Sequence, residues 1–329
     1  MSVKTYDIEV NTAALVKVAP VIRDVVANAG LDTFTDPRYY PSRDVDKELT
    51  LRYFIFMVAI DHRTSRYVPF EGYVNNEFYH GADLLYRLGM SKFNEDPGFF
   101  NPSNMANLTP DEVKAWLSAD DGKGGRVTIW DPEVRADLLR DLGRKLKVLY
   151  GGSVSSLIES SGNHLKRGNG QGLVDKLKVF KAYSDPVEKK AYLFIKFIER
   201  RGLIQIEDPW NKEVPVDNHL TRIALRLGLV RVYGLLKKKL EHNEPFEWGE
   251  DVALRLTVRK AYKELHKIAG LDVFHLDDFL WMFGRKTCLR VNPKCKVLGR
   301  DACPLSNVCE NIDVAERISE HNFLNTYYY

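Results

Sequence analysis

The sequence predicts an all-α protein, and three observations predict it. Apolar residues recur three and four apart along most of the chain, the period of an amphipathic helix. Strand-like alternation is scarce and short. The length of 329 residues, 44% of them apolar, is enough for about two helical domains with substantial cores.

Taken in order, the first helical pattern runs from Asp46 to Ile60 and contains Tyr53 to Ile60, the longest uninterrupted apolar stretch. That stretch is eight residues, where a membrane span needs roughly 20, so no transmembrane helix is expected. A second pattern covers Ala82 to Leu88. From Glu95 to Gly125 the prolines Pro97, Pro102 and Pro110 and the run Asp120-Asp121-Gly122-Lys123-Gly124-Gly125 read as an irregular connection or inserted surface excursion. Helical periodicity returns over Pro132 to Leu149, Gly172 to Phe180 and Val187 to Arg200. The glycine-rich segment Gly162 to Gly172 has neither a Gly-Lys-Ser/Thr ending nor a preceding strand, so it is not read as a phosphate loop. Three more helices follow: Asn218 to Leu227, with Gly228 as its stop, Trp248 to Ala269, and Leu276 to Phe283. No internal repeat is visible, and the closing Tyr327-Tyr328-Tyr329 has no reading.

Forty-eight basic against 45 acidic residues give a net charge of +3, which neither demands nor excludes nucleic acid, because local patches decide. The first ten residues carry no basic n-region and no long apolar h-region, so an intracellular, cytoplasmic protein is expected. The four cysteines are more informative. Cys288, Cys295, Cys303 and Cys309 fall within 22 residues, with six, seven and five residues between them. One local site is the economical reading. Four thiolates from one loop suit an iron-sulfur cluster or a zinc ion; zinc sites usually use tighter Cys-x2-4-Cys knuckles, which makes zinc the runner-up. Two disulfides are the bland alternative, disfavoured in a reducing cytosol. The same loop carries Arg285, Lys286, Arg290, Lys294, Lys296 and Arg300 in sixteen residues without an acid. Such a run is often only a solvated face, but beside a ligand set it reads as a phosphate-contacting rim that gains by counterion release.

Upstream, Val214-Pro215-Val216-Asp217-Asn218-His219-Leu220 leads into a helix, and Asp217 stands where an N-cap belongs. A carboxylate there is fixed in orientation and favoured by the helix dipole, which suits stabilising a developing cation as well as capping. Further upstream, Lys189 and Lys190 open a helix whose apolar residues include Tyr192, Phe194 and Phe197. A lysine there acts chemically only if burial or a neighbour lowers its pKa.

The order of Val216-Asp217-Asn218-His219, then His275-Leu276-Asp277-Asp278-Phe279-Leu280-Trp281-Met282-Phe283-Gly284-Arg285-Lys286-Thr287-Cys288, then three more cysteines, resembles the helix-hairpin-helix DNA glycosylase superfamily. Endonuclease III-like members end in a cluster loop after a similar helix. The stretch Glu188 to Gly284 also looks like the archaeal 8-oxoguanine DNA glycosylases. The resemblance covers about the last 150 residues; the first 150 match only in helical pattern. Two departures stand out: seven residues separate Cys295 from Cys303 where the family has two, and Phe180-Lys181-Ala182-Tyr183-Ser184-Asp185-Pro186 replaces a Leu-Pro-Gly-Val-Gly type hairpin turn.

The resemblance implies a two-lobed helix-hairpin-helix fold, with residues 48–208 as a helical barrel containing the hairpin and residues 1–47 plus 209–329 as a second helical domain carrying the loop 288–309. It implies a base-excision DNA glycosylase, monomeric, acting on double-stranded DNA with a base lesion flipped into a cleft. Asp217 matches the catalytic aspartate, Lys190 the AP-lyase lysine with Lys189 as fallback, and the four cysteines the ligands of a [4Fe-4S] cluster. If no lysine is placed for attack, water replaces it. Asp61, His62 and His219 are candidate substrate contacts, the first two being as well explained by capping a helix and facing water. Trp281 is expected in the core beneath the cysteine loop. Two alternatives remain: a queuosine-type nucleoside hydrolase of the same architecture, and a noncatalytic nucleic-acid-binding module.

Overall fold

The computed structural model describes residues 6–30 and 32–329. The chain is mostly helical. It forms two compact units. One takes the described residues before residue 31 together with Lys212–Asn325; the other takes Asp32–Asn211 and Thr326–Tyr329. The boundary differs from the expected one, because residues 32–47 belong with the second group. Phe34 lays its ring 4.3 Å from that of Phe197, and Arg201 donates to the Phe34 and Pro41 carbonyls at 2.9 and 2.7 Å. The closing tyrosines also fall in this unit, where the Arg63 amide donates to the Tyr329 carbonyl at 3.3 Å.

In the first unit a helix absent from the sequence reading, Thr12–Ala27, buries Leu15, Val18, Ala19, Ile22 and Val26 on one face. Pro20 lies inside it but on the solvent side, so the carbonyl it leaves without a donor stays accessible to water. This helix packs along Trp248–Ala269, and the antiparallel pair Ile8–Val10 with Val230–Val232 ties the two chain segments together. Asn218–Leu227 and Val273–Lys286 complete the core. The latter starts earlier and ends later than expected, because Asp272 caps it by accepting from the Phe274 and His275 amides.

The second unit is built around Lys47–Ala59, whose residues Tyr53 to Ala59 are all fully buried. A helix apolar on every side must be surrounded. Pro132–Tyr150, Val154–Glu159, Ala82–Glu95 and Lys189–Arg200 surround it. The stretch 95–125 is not irregular. Pro97, Pro102 and Pro110 each occupy a first helical turn, where the missing N–H costs nothing, and start Pro97–Phe100, Pro102–Met105 and Pro110–Trp116. Ser118–Asp120 and Arg126–Thr128 then extend a four-stranded sheet begun by Glu71–Val74 and Glu77–His80. The Asp-Gly run is its hairpin turn: Gly122 and Gly124 adopt left-handed backbone, and Asp121 accepts from the Lys123 and Gly125 amides. The helix expected over Gly172 to Phe180 is short, Leu173–Leu177, followed by a 3-10 turn at Lys181–Tyr183. No helix among the described residues is long and apolar enough to cross a membrane.

Candidate functional site

In the second unit the helix Lys47–Ala59 ends inside the protein, so its last carbonyls need donors that water cannot supply. Three cations provide them. Lys190 Nζ donates to the Ala59 carbonyl at 2.5 Å, Lys189 Nζ to that of Asp61 at 3.0 Å, and Arg135 to those of Ile60 and Arg63, the latter at 2.7 Å. Lys189 and Lys190 sit at the start of Lys189–Arg200. Asp185 sets that start by accepting from the Val187 and Lys189 amides at 3.0 Å, while Glu188 takes left-handed backbone at φ 63°.

The same end of the helix places His62 between Lys190 and Asp131. His62 Nδ1 lies 3.3 Å from Lys190 Nζ and Nε2 lies 3.3 Å from Asp131 Oδ2. Both residues expected at a solvated helix end are thus elsewhere: His62 is buried, and Asp61 turns Oδ2 to within 3.6 Å of Lys189 Nζ and accepts from the Tyr86 hydroxyl. With both ring nitrogens engaged, His62 has none left for a base, which corrects its reading as a substrate contact. Burial pushes Lys190 and His62 well below their ordinary ranges, and the positive charges of Lys189 and Arg135 add to both shifts. Burial raises Asp131 from 3.8 to about 6 and lowers Arg135 to about 10. Arg135 Nε approaches Asp131 Oδ1 at 3.1 Å but donates its hydrogen to the Trp130 carbonyl, so that oxygen carries no hydrogen bond among the described residues.

A proton on Asp131 is therefore favoured by folding. The associated stability is present below about pH 4 and lost as pH rises through about 6. We expect Asp131→Asn to be more stable than the parent by about 2 kcal/mol at pH 7.5 and indistinguishable from it near pH 4. Urea unfolding at the two pH values checks this.

In the first unit Asp217 caps Asn218–Leu227, Oδ1 accepting from the Leu220 amide at 2.9 Å, and Gly228 ends the helix in left-handed backbone. His219 is half-exposed and within 3.3 Å of Glu320. The buried Arg222 and Arg226, four residues apart on this helix, clamp the loop that follows Val273–Lys286. Arg222 donates to the Gly284 and Cys288 carbonyls at 3.0 Å, and Arg226 to those of Leu289 and Arg290 at 2.6 and 3.0 Å. Neither arginine stands out in the sequence, because their partners lie more than 60 positions away.

The four cysteines line one cavity whose other walls include Leu227, Phe283 and Leu305. None is in a disulfide. Arg226 Nη1 lies 3.3 Å from Cys288 Sγ, and Cys309 Sγ donates to the Arg226 carbonyl at 3.1 Å. Burial pushes Cys303 up to about 11 and Cys309 up to about 12, with neighbouring thiols adding to it. Such a set holds thiolates only around a positive centre. Among the described residues no three His, Cys, Asp or Glu side chains converge closely enough for a single metal ion.

Three of the six loop cations have acidic partners. Arg300 pairs with Asp313 at 2.6 Å, Lys296 with Glu316 at 3.5 Å, and Arg290 approaches Glu320 at 3.9 Å. The acids lie just past the window that looked purely basic. Trp281 is half-buried rather than core, with the Arg285 guanidinium 4.4 Å over its ring. Lys286 is exposed and Lys294 half-buried. No protein-family model matches this sequence, and no curated protein matches it.

Proposed function

We propose that the chain is a base-excision DNA glycosylase with AP-lyase activity, of the two-lobed helix-hairpin-helix type with a C-terminal cluster loop. The observation that carries this reading is Lys190. It is a fully buried amine with a strongly depressed pKa, directly after a tight turn at the start of a helix. Glu188 supplies the left-handed backbone of that turn, two residues before Lys190.

The neutral Nζ attacks C1′ as the bond to the base breaks, its electron pair leaving with the base, which takes up a proton. Loss of one Nζ proton and opening of the sugar ring, with O4′ protonated, gives a protonated imine. Removal of a C2′ proton then expels the 3′ phosphate with the C3′–O electron pair. To reach C1′, Nζ must leave the Ala59 carbonyl. Asp217 stabilises the positive charge on the sugar as the base departs. The substrate is double-stranded DNA with a base lesion, bound by a monomer, and the loop cations, whose exposed ion pairs are individually weak, exchange carboxylates for phosphates. Asp61 and His219 remain candidate contacts to the nucleotide.

Cys288, Cys295, Cys303 and Cys309 would hold a [4Fe-4S] cluster, which supplies a rigid positive centre that fixes the loop. Anaerobically purified protein is expected to be brown and to contain iron and sulfide, with both lost in Cys303→Ser. A colourless protein with one zinc per chain would assign the site to zinc.

The activity test is incubation with duplexes carrying an abasic site or single damaged bases, with borohydride present to reduce any imine. No adduct and no base release across the panel overturns the proposal. The pairing of three loop cations favours one other reading, a hydrolase of a modified nucleoside, which release of base from free nucleosides but not from duplexes would establish.

A further inference from the structure

We infer that His62 and Asp131 form a proton relay serving Lys190, with His62 Nδ1 as the acceptor of the lysine's proton and Asp131 as the residue that sets the imidazole tautomer. This rests on the lyase reading of Lys190 and adds to it two residues, one of which carries no sequence signal at all.

The geometry has a definite polarity. A carboxylate at 3.3 Å from Nε2 accepts the Nε2–H, which leaves Nδ1 as a bare lone pair facing Lys190 Nζ at 3.3 Å. A neutral amine has two hydrogens and one lone pair. Here the hydrogens have two acceptors, the Ala59 carbonyl at 2.5 Å and His62 Nδ1, so the lone pair is not consumed by the protein. Attack on carbon turns the amine into an ammonium, which must shed one proton before the protonated imine forms. That proton passes from Nζ to Nδ1, giving an imidazolium whose Nε2–H already points at Asp131, and later leaves to solvent.

The surrounding cations favour the neutral amine and also oppose the imidazolium, so the proton rests on His62 only in passing. Lys189 and Arg135 oppose positive charge on Lys190 and His62, Asp61 and Asp131 partly offset this at Lys190, and Glu133 adds negative charge near Asp131. Burial raises Asp131 to about 6, so acid below that value removes the acceptor for Nε2–H. The left-handed backbone of Asp131, at φ 54°, is unusual for a residue other than glycine. It is retained at the one position where the side chain meets both His62 and Arg135.

The test is the rate of borohydride-trapped adduct formation on abasic duplex, from pH 5 to 8.5, for the parent, His62→Gln and Asp131→Asn. The parent is expected to slow below about pH 6. Both variants are expected to trap at least about 100-fold more slowly at pH 7.5, and Asp131→Asn to lack the acid limb. Asp131→Asn keeps the side-chain volume, so lost activity with an unfolding transition at least as high as the parent's is not misfolding. Ring 15N shifts of His62 supply a second readout: a bare Nδ1 in the parent and its loss in Asp131→Asn support the relay. Variants that trap at the parent's rate with the parent's pH profile overturn the relay and leave the lyase standing. A parent that gives no adduct overturns both.

Discussion

Lys190→Gln is expected to abolish the borohydride-trapped adduct completely, while Lys189→Gln leaves it within a few-fold of the parent. The two side chains differ in what the protein does to them. Lys190 is fully buried, and burial pushes its pKa well down, which favours the neutral, nucleophilic amine; Lys189 lies within 3.6 Å of a carboxylate oxygen of Asp61. Mass spectrometry of the reduced adduct after proteolysis reads the attachment site directly. An adduct on residue 189, surviving in Lys190→Gln, would move the chemistry by one residue and remove the basis of the relay. The substitution has a structural side as well, because Lys190 satisfies the Ala59 carbonyl at a buried helix end. Glutamine keeps a donor there, whereas alanine leaves that carbonyl bare at roughly 1–3 kcal/mol. Glutamine is therefore the informative replacement.

Asp217→Asn is expected to slow base release by 100-fold or more with almost no change in stability. Asparagine is as good an N-cap as aspartate, since its amide oxygen also accepts from the Leu220 amide that Asp217 serves at 2.9 Å. What it lacks is the negative charge that would stabilise the sugar cation. Asp217→Ala removes both, and should add about 1 kcal/mol of destabilisation to the same kinetic defect. Single-turnover base release on a lesion-containing duplex, with thermal unfolding alongside, separates the two roles. If Asp217→Asn releases base at the parent's rate, Asp217 is a cap and nothing more.

The helices with clear start and stop chemistry were legible from sequence. Asn218–Leu227 lies between Asp217 and Gly228, and Trp248–Ala269 ends at Gly270 in left-handed backbone. Thr12–Ala27 was hidden by Pro20, which reads as a breaker unless its solvent-facing position is known. The sheet was hidden because its strands are three or four residues long, too short for alternation to register. Among the candidate residues, Lys190, Asp217 and the four cysteines are of types and in contexts that sequence alone marks out. Asp131 and Arg135 did not, because an aspartate and an arginine four apart on either side of a helix start look like ordinary surface charge. Their importance comes from meeting His62 and the end of a helix some 70 positions earlier.

The antiparallel pair of Ile8–Val10 with Val230–Val232 has a consequence for how the chain reaches its folded state. Glu9 and Tyr233, which hydrogen-bond at 2.6 Å, are 224 positions apart, so this pairing cannot begin until most of the chain has been synthesised. Nearly all of the unit Asp32–Asn211 precedes Val230 and can gather first. When it does, Phe34 and Phe197 come together and the open loop between the two strands shrinks to roughly a quarter of its length, which lowers its closure entropy by about 1 kcal/mol. The order of synthesis and the entropy of closure thus favour the same sequence of events, with the inserted unit gathering before the two strands of the interrupted one meet.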